Sequence, residues 1–251
     1  MVPEAIAFAL VAHVSPLTGL YAAFIVSLIT SAFGGRPGMV SGAAGSLAVV
    51  MVSLVATHGA EYLFATVVLM GVFQLLFAAF RLGKLIRLVP HPVMLGFVNG
   101  LAIVIFLAQF GHFKTTGADG VQSWMPAPAL FTMFGLIALP MVVIYLFPKL
   151  TKAVPATLAG ILIVSGLAAA LGIHTKTVGD LASIAGGLPK FHLPEIPLSW
   201  ETLKIIFPYA LIIALIGLPA SLLKLNLIDD MTETRGKPNR ECMAQGAANV
   251  V

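Results

Sequence analysis

The stretch Ser41-Gly42-Ala43-Ala44-Gly45-Ser46-Leu47-Ala48-Val49-Val50-Met51 opens with six small residues and closes on an apolar run. Its chemistry is that of a helix mouth. The first four N–H groups of a helix have no partner within it. They also carry the positive end of the helix dipole, roughly half an elementary charge. Small side chains would let a negatively charged solute reach those amides. Gly38, Gly42 and Gly45 are equally compatible with close helix packing, and the stretch alone leaves both readings open. A second candidate is Glu4, an acid inside the first apolar run. Ionisable groups within a membrane are costly and normally face a cavity or a partner. A carboxyl group there could carry a coupling proton or sodium ion, its pKa raised by desolvation. Glu4 is therefore expected to be enclosed.

These residues sit in an unusually oily chain. Of 251 positions, 59% are hydrophobic and 10% charged, against about 25% charged in soluble domains. Apolar runs fall at 3–14, 18–33, 43–57, 61–80, 92–110, 128–147, 154–172 and 204–223, and a ninth begins near 242. Several approach the roughly 20 residues that a membrane helix needs. The composition predicts an all-α integral membrane protein embedded in a lipid bilayer. The third run is short and led by glycine, the pattern of a broken helix ending at mid-depth. If 34–40 lies on one side and the spans alternate, ten of the fourteen lysines and arginines gather there, Arg36, Lys224 and Lys237 among them. By the positive-inside rule that side is cytoplasmic.

Trp124, Trp200, Tyr62 and Tyr209 lie near span ends, where interfacial aromatics belong. Leu82–Val89 reads as an interfacial amphipathic segment or an ordinary basic loop. Lys224, Asp229, Asp230 and Glu233 read as a solvated cluster beyond the eighth run. The net charge of +4 does not point to nucleic acid, because the cations sit in short loops between apolar runs. The single cysteine, Cys242, excludes an internal disulfide and two-cysteine redox or zinc motifs. No hydrolytic triad or nucleotide-binding loop is present. No enzymatic activity, metal or cofactor is expected. Met1-Val2-Pro3-Glu4 lacks the basic region of a signal peptide. The chain is expected to be part of a longer protein, residues 1–251 forming a partial transmembrane transport domain.

At this point the residues resemble a known family. Pro3-Glu4-Ala5-Ile6-Ala7-Phe8-Ala9, Pro16-Leu17-Thr18-Gly19-Leu20-Tyr21, the glycine-led stretch above, and His91-Pro92-Val93-Met94-Leu95-Gly96-Phe97-Val98-Asn99-Gly100 are similar to segments of the sulfate permease (SulP) family. So are Thr177–Leu181, Asn226–Thr232, Asn239-Arg240-Glu241 and Gln245–Asn249, in order along the chain. The resemblance implies a bacterial secondary transporter of small inorganic anions, with sulfate foremost, then bicarbonate, chloride or dicarboxylates. It implies alternating access, coupling to protons or sodium, an inner (cytoplasmic) membrane location and a homodimer when full length. The implied fold is the first half of a 7+7 inverted repeat, with the third helix broken. By matching positions, Phe8, Gly45, Ser46, Leu47 and Ala48 would line the anion site, and Glu4 would serve coupling.

The family's tenth-segment half-helix and its cytoplasmic STAS domain are not among these residues. In Gly217-Leu218-Pro219-Ala220-Ser221-Leu222-Leu223-Lys224 the family's glutamate is replaced by Ala220, and Lys224 stands for a small polar residue. Pro219 can kink the span. These departures leave coupling to Glu4 or remove it. A nucleobase permease shares the architecture, but a ring would want polar partners at the helix mouth. A non-transporting membrane scaffold or sensor, or an inactive fragment, is the reading from a different class.

Overall fold

The computed structural model describes residues 1–42, 45–82, 91–116, 122–151, 153–173, 179, 187, 189, 193–197 and 199–251. Most of Leu82–Val89, most of Thr177–Leu181, Ala43, Ala44 and the Ser46 side chain lie outside that description. The described residues are predominantly helical. The helices are α1 (Val2–Val11), α2 (Pro16–Phe33), α3 (Gly45–His58), α4 (Ala60–Ala79), α5 (His91–Gln109), α6 (Ala127–Leu150), α7 (Ala156–Ala170), α8 (Trp200–Thr232) and α9 (Pro238–Val250). The first seven follow the apolar runs closely. Four of them, α2, α4, α6 and α8, are long and apolar enough to cross a membrane.

The starts of these helices have local causes. Pro16 opens α2, and Ser15 Oγ accepts the Leu17 N–H at 3.3 Å. At α8, Ser199 Oγ accepts the Thr202 N–H at 3.1 Å. Both are N-cap serines that satisfy an otherwise orphaned donor. Gly59 alone joins α3 to α4. It holds φ +88° and ψ 175°, a region that is essentially glycine's, so this one-residue corner depends on it.

Contacts divide the chain into two compact units, Met1–Ile105 with Ala182–Val251, and Phe106–Leu181. In the first, α4 packs against α8 and α9, α9 also meets α2, and α3 lies against α1, α4 and α8. Its apolar core centres on Met51, Leu63, Met70, Ile213 and Ala214. A neighbouring cluster joins Ala78, Leu218, Leu222 and Cys242. Gly71 and Gly246 bring α4 and α9 almost into backbone contact: a Cβ on Gly246 would lie 2.9 Å from Leu75 N and 3.0 Å from Gly71 O.

In the second unit α6 packs on α7, with Gly160 facing Pro140 and Ile144. A short hairpin precedes α6: Lys114–Thr116 pairs antiparallel with Gln122–Trp124. The apolar pattern did not foretell these strands, because each is only three residues long. Lys114 sits 5.8 Å over the Trp124 ring it faces across the ladder, a cation–π contact.

Within the first unit, which ends of α2, α4 and α8 lie together can be read from contacts alone. The end of α2 meets the α8–α9 turn, where Gly35 O accepts the Lys237 N–H at 2.9 Å and Phe33 O accepts Arg240 Nε at 3.0 Å. The end of α4 joins them, as Ala78 O accepts Asn239 Nδ2 at 2.7 Å. At the other ends, Tyr21 donates to Gly187 O at 2.8 Å, and Glu61 Oε2 accepts the Glu195 N–H at 2.9 Å. Within the first unit, the loop that carries Arg36 and the turn that carries Lys237 and Arg240, which the charge bias places on one side, are thus found together.

Two expectations change. The eighth helix does not stop at 223 but runs 33 residues to Thr232, about 50 Å at 1.5 Å per residue. It continues because 224–232 still packs inward, with Leu225 fully enclosed and Asn226, Ile228 and Asp229 half-buried. The ninth helix does not begin with an apolar run near 242. It begins at Pro238 and buries a face of small residues, Cys242, Ala244, Gly246 and Ala248, together with Glu241 and Gln245.

Candidate functional site

The candidate site begins at the end of α2. The chain leaves helical geometry at Gly34, runs irregularly through 42, and re-enters a helix at Gly45. The new helix, α3, has 14 residues, about 21 Å at the helical rise against a hydrocarbon thickness of roughly 30 Å. Its opening turn is enclosed: Gly45 is buried, and Ala48 is 6% exposed. Leu47 is half-buried and points into the core cluster of Met51, Met70 and Ile213. It can therefore contribute to a site at this turn through its backbone only. Phe8 is half-buried on α1, which packs against α3.

Glu4 does not meet the expectation of enclosure. Its side chain is 66% exposed, 3.3 Å from the Met1 amino group. The reason is geometric: Glu4 lies in the first turn of α1, and the faces of α1 that meet its neighbours are carried by Ala5 and Ala9. Gly19 makes that meeting close, since a Cβ there would lie 2.6 Å from Ala5 O and 2.7 Å from Ala9 Cβ.

The lead-in to α3 is held by polar groups that sequence reasoning quoted but gave no role. Glu241 is 1% exposed. Its Oε2 accepts the Gly35 N–H at 2.9 Å, and its Oε1 accepts Ser221 Oγ–H at 3.1 Å and Gln245 Nε2–H at 2.9 Å. The Gln245 amide also donates to Ser41 Oγ and lies 3.0 Å from Ser221 Oγ. Ser41 O in turn accepts from Ser27 Oγ at 3.0 Å. Glu241 and Gln245 are four residues apart, hence on one face of α9. That spacing was visible in the sequence; what it faces was not.

Arg36, the cation of the same loop, is committed elsewhere. Its side chain is 7% exposed and ion-paired with Asp229, whose own side chain is 14% exposed. It donates to Thr232 Oγ1, to Thr234 Oγ1 at 2.6 Å and to Thr234 O at 3.2 Å. Asp229 also accepts the Gly236 N–H at 2.9 Å. This corrects the reading of Asp229 as part of a solvated cluster. Lys224, Asp230 and Glu233 are exposed, but Asp229 faces inward because α8 continues one turn past it. A cleft of about 440 Å³ opens between Met1, Val2, Leu20, Phe24 and Leu28. Its wall is apolar, which does not suit an anion.

With this geometry in place, comparison with known proteins is informative. The Sulfate permease family matches residues 1–251. YbaR of Bacillus subtilis, named provisionally as a sulfate transporter, is 45% identical over 251 residues, which cover 100% of this chain and 50% of YbaR. The bicarbonate transporter BicA of Picosynechococcus is 27% identical over 270 residues, covering 99% of this chain and 47% of BicA. The solved transmembrane domain of a cyanobacterial BicA superposes with a TM-score of 0.80 at 27% identity, over 99% of this chain and 67% of that one. The chain thus spans about half the length of these curated relatives. A family match through every residue, carried by the same helical arrangement, makes this chain a member of the sulfate permease family.

Proposed function

We propose that residues 1–251 form the first half of the transport domain of a secondary transporter for small inorganic anions. Sulfate is the foremost candidate and bicarbonate the next, in keeping with the names of YbaR and BicA. The observation that carries this reading is the short α3, whose buried first turn follows a non-helical lead-in; the first N–H groups of a helix have no partner within it. Those N–H groups need a partner in a low-dielectric setting, and an anion supplies one while meeting the positive end of the helix dipole. Gly45, Ser46, Leu47 and Ala48 contribute backbone amides, and Phe8 flanks them from α1. Glu4 is the coupling residue for a proton or sodium. The protein works by alternating access in the bacterial inner membrane, as a homodimer when full length, and transports its anion without chemical turnover.

The test is uptake of labelled sulfate, bicarbonate and chloride into proteoliposomes that hold the full-length protein of which residues 1–251 are the proposed first half. Saturable uptake of at least one is expected. Ser46→Glu should abolish it, because a fixed negative charge would occupy the helix mouth. Retained affinity in Ser46→Glu would refute the site. Absence of flux for all three would refute the transporter and favour a membrane scaffold.

A further inference from the structure

Ser41, Ser221, Glu241 and Gln245 are each less than a tenth exposed, yet they come from three separate parts of the chain. They meet on one face of α9. Buried polar groups are costly unless mutually satisfied, and a satisfied network fixes one geometry. This network grips the lead-in to α3 twice. Glu241 holds its beginning through Gly35 N–H, and Gln245 holds its end through Ser41 Oγ. At the first grip the backbone passes so close to α9 that a Cβ on Gly35 would lie 3.0 Å from Glu241 N. Ser221, bonded to Glu241, ties the same point to α8.

The seven-residue span from Gly35 to Ser41 therefore has both ends fixed to one helix turn. An extended chain could reach about 3.3–3.6 Å per residue, so a loop left free would let the start of α3 wander by several ångströms. Amides that bind an ion must be held much closer than that, since hydrogen bonds weaken steeply outside 2.7–3.2 Å.

We infer that Glu241 and Gln245 are positioning residues for the amide-bearing first turn of α3. They touch no transported ion. They set where the helix mouth stands by clamping its lead-in to α9 and α8. The inference rests on the proposed anion site for its transport consequence, while its structural part stands on the hydrogen bonds alone.

The experiment has two arms, both on the full chain. Amide hydrogen exchange is followed in detergent, and anion uptake in proteoliposomes, for Glu241→Leu, Gln245→Met and Glu241→Gln. Glu241→Leu removes the acceptor from three buried donors. Gln245→Met removes the Ser41 grip together with the donations to Glu241 and Ser221, leaves the Gly35 grip in place, and serves if the first variant does not fold. Glu241→Gln keeps an oxygen for Gly35 N–H and should rescue most of the effect. The expected result is exchange at least tenfold faster over 35–48 in the first two variants, with 60–79 unchanged. KM for the transported anion should rise at least fivefold while the maximal rate stays within twofold.

Unchanged exchange over 35–48 in both disruptive variants would overturn the inference. So would equal acceleration of 35–48 and 60–79, which would mean general loosening. So would a lower maximal rate with unaltered KM, or a Glu241→Gln variant as impaired as Glu241→Leu. If the unmodified protein moves none of sulfate, bicarbonate and chloride, the proposed function fails, and the exchange arm alone decides the positioning role.

Discussion

A methyl group at Gly71 has no space. An ideal Cβ there lies 2.8 Å from Gly246 O, 2.8 Å from Val250 Cγ2 and 3.0 Å from Asn249 C. Ordinary contact begins at 3.4 Å, a shortfall of about 0.6 Å. Two of the three obstacles are backbone, so α4 and α9 must part. On the same side of the crossing, Asn249 Nδ2 donates to Gln74 Oε1 at 2.8 Å. A separation of that size stretches this bond past the roughly 3.2 Å at which hydrogen bonds hold. Gln74 is 1% exposed, so no bulk water replaces the lost donor. Overpacking costs about 1–3 kcal/mol, and the bond adds about 1 kcal/mol. Gly71→Ala should therefore destabilise by about 2–4 kcal/mol. On the scale of globular domains of this size that is a fall of roughly 5–15 °C in melting temperature.

Cys242 supplies the assay. It is the sole cysteine, fully buried, and sits on α9 itself. A maleimide dye that fluoresces on reaction will report its exposure during a thermal ramp in detergent. Gly166→Ala is the control: nothing lies within 4 Å of its ideal Cβ, and alanine is favoured over glycine inside a helix by about 0.5–1 kcal/mol. It should melt at or slightly above the unmodified protein. Equal melting of Gly71→Ala and the unmodified protein would refute the crossing argument, as would an equal fall in Gly166→Ala.

Three further outcomes follow from the same structure. Asp229→Ala strands a buried guanidinium and should cost about 3–5 kcal/mol, while the paired change Arg36→Met with Asp229→Leu should regain most of it; the dye melt measures both. Gly59→Ala should cost about 1–3 kcal/mol through backbone strain at φ +88° alone, since no atom lies near its Cβ, and should shift melting without changing Cys242 protection at low temperature. Glu4→Gln should flatten the pH dependence of anion uptake more than it weakens anion affinity. Equal uptake at acid and neutral pH by the unmodified protein would remove the reason for assigning Glu4 a proton.

The helices were legible because burial in lipid leaves a strong, local mark. Runs of apolar residues gave α4 and α5 to within one residue and α2 and α6 to within three, and glycine-led brevity gave α3. That the Arg36 loop meets the turn of Lys237 and Arg240 followed from where lysine and arginine accumulate. Position relative to neighbours was not legible. Leu47 belongs to the core, and Glu4 lies on an uncovered face of α1, facts set by helix rotation that composition does not encode. Arg36 and Asp229 each resembled a solvated loop charge, because a charge in isolation says nothing of its partner. Glu241 and Gln245 carried a usable signal, two polar groups one turn apart among small residues. Only the fold reveals that Gly35, Ser41 and Ser221 converge on them.

The clasp between the α2–α3 loop and the α8–α9 turn joins residues 193 positions apart, Arg36 and Asp229. A ribosome adding about 5–20 residues per second needs roughly 10–40 s to cover that distance. Throughout this interval the early helices sit in the bilayer with an unmated guanidinium and an open seam where α9 will lie. Assembly of the first unit is thus timed by translation of its far end. Nascent chains arrested before Asn239 should remain loosely packed, and the thiol at Cys242 should become shielded only as that last helix docks.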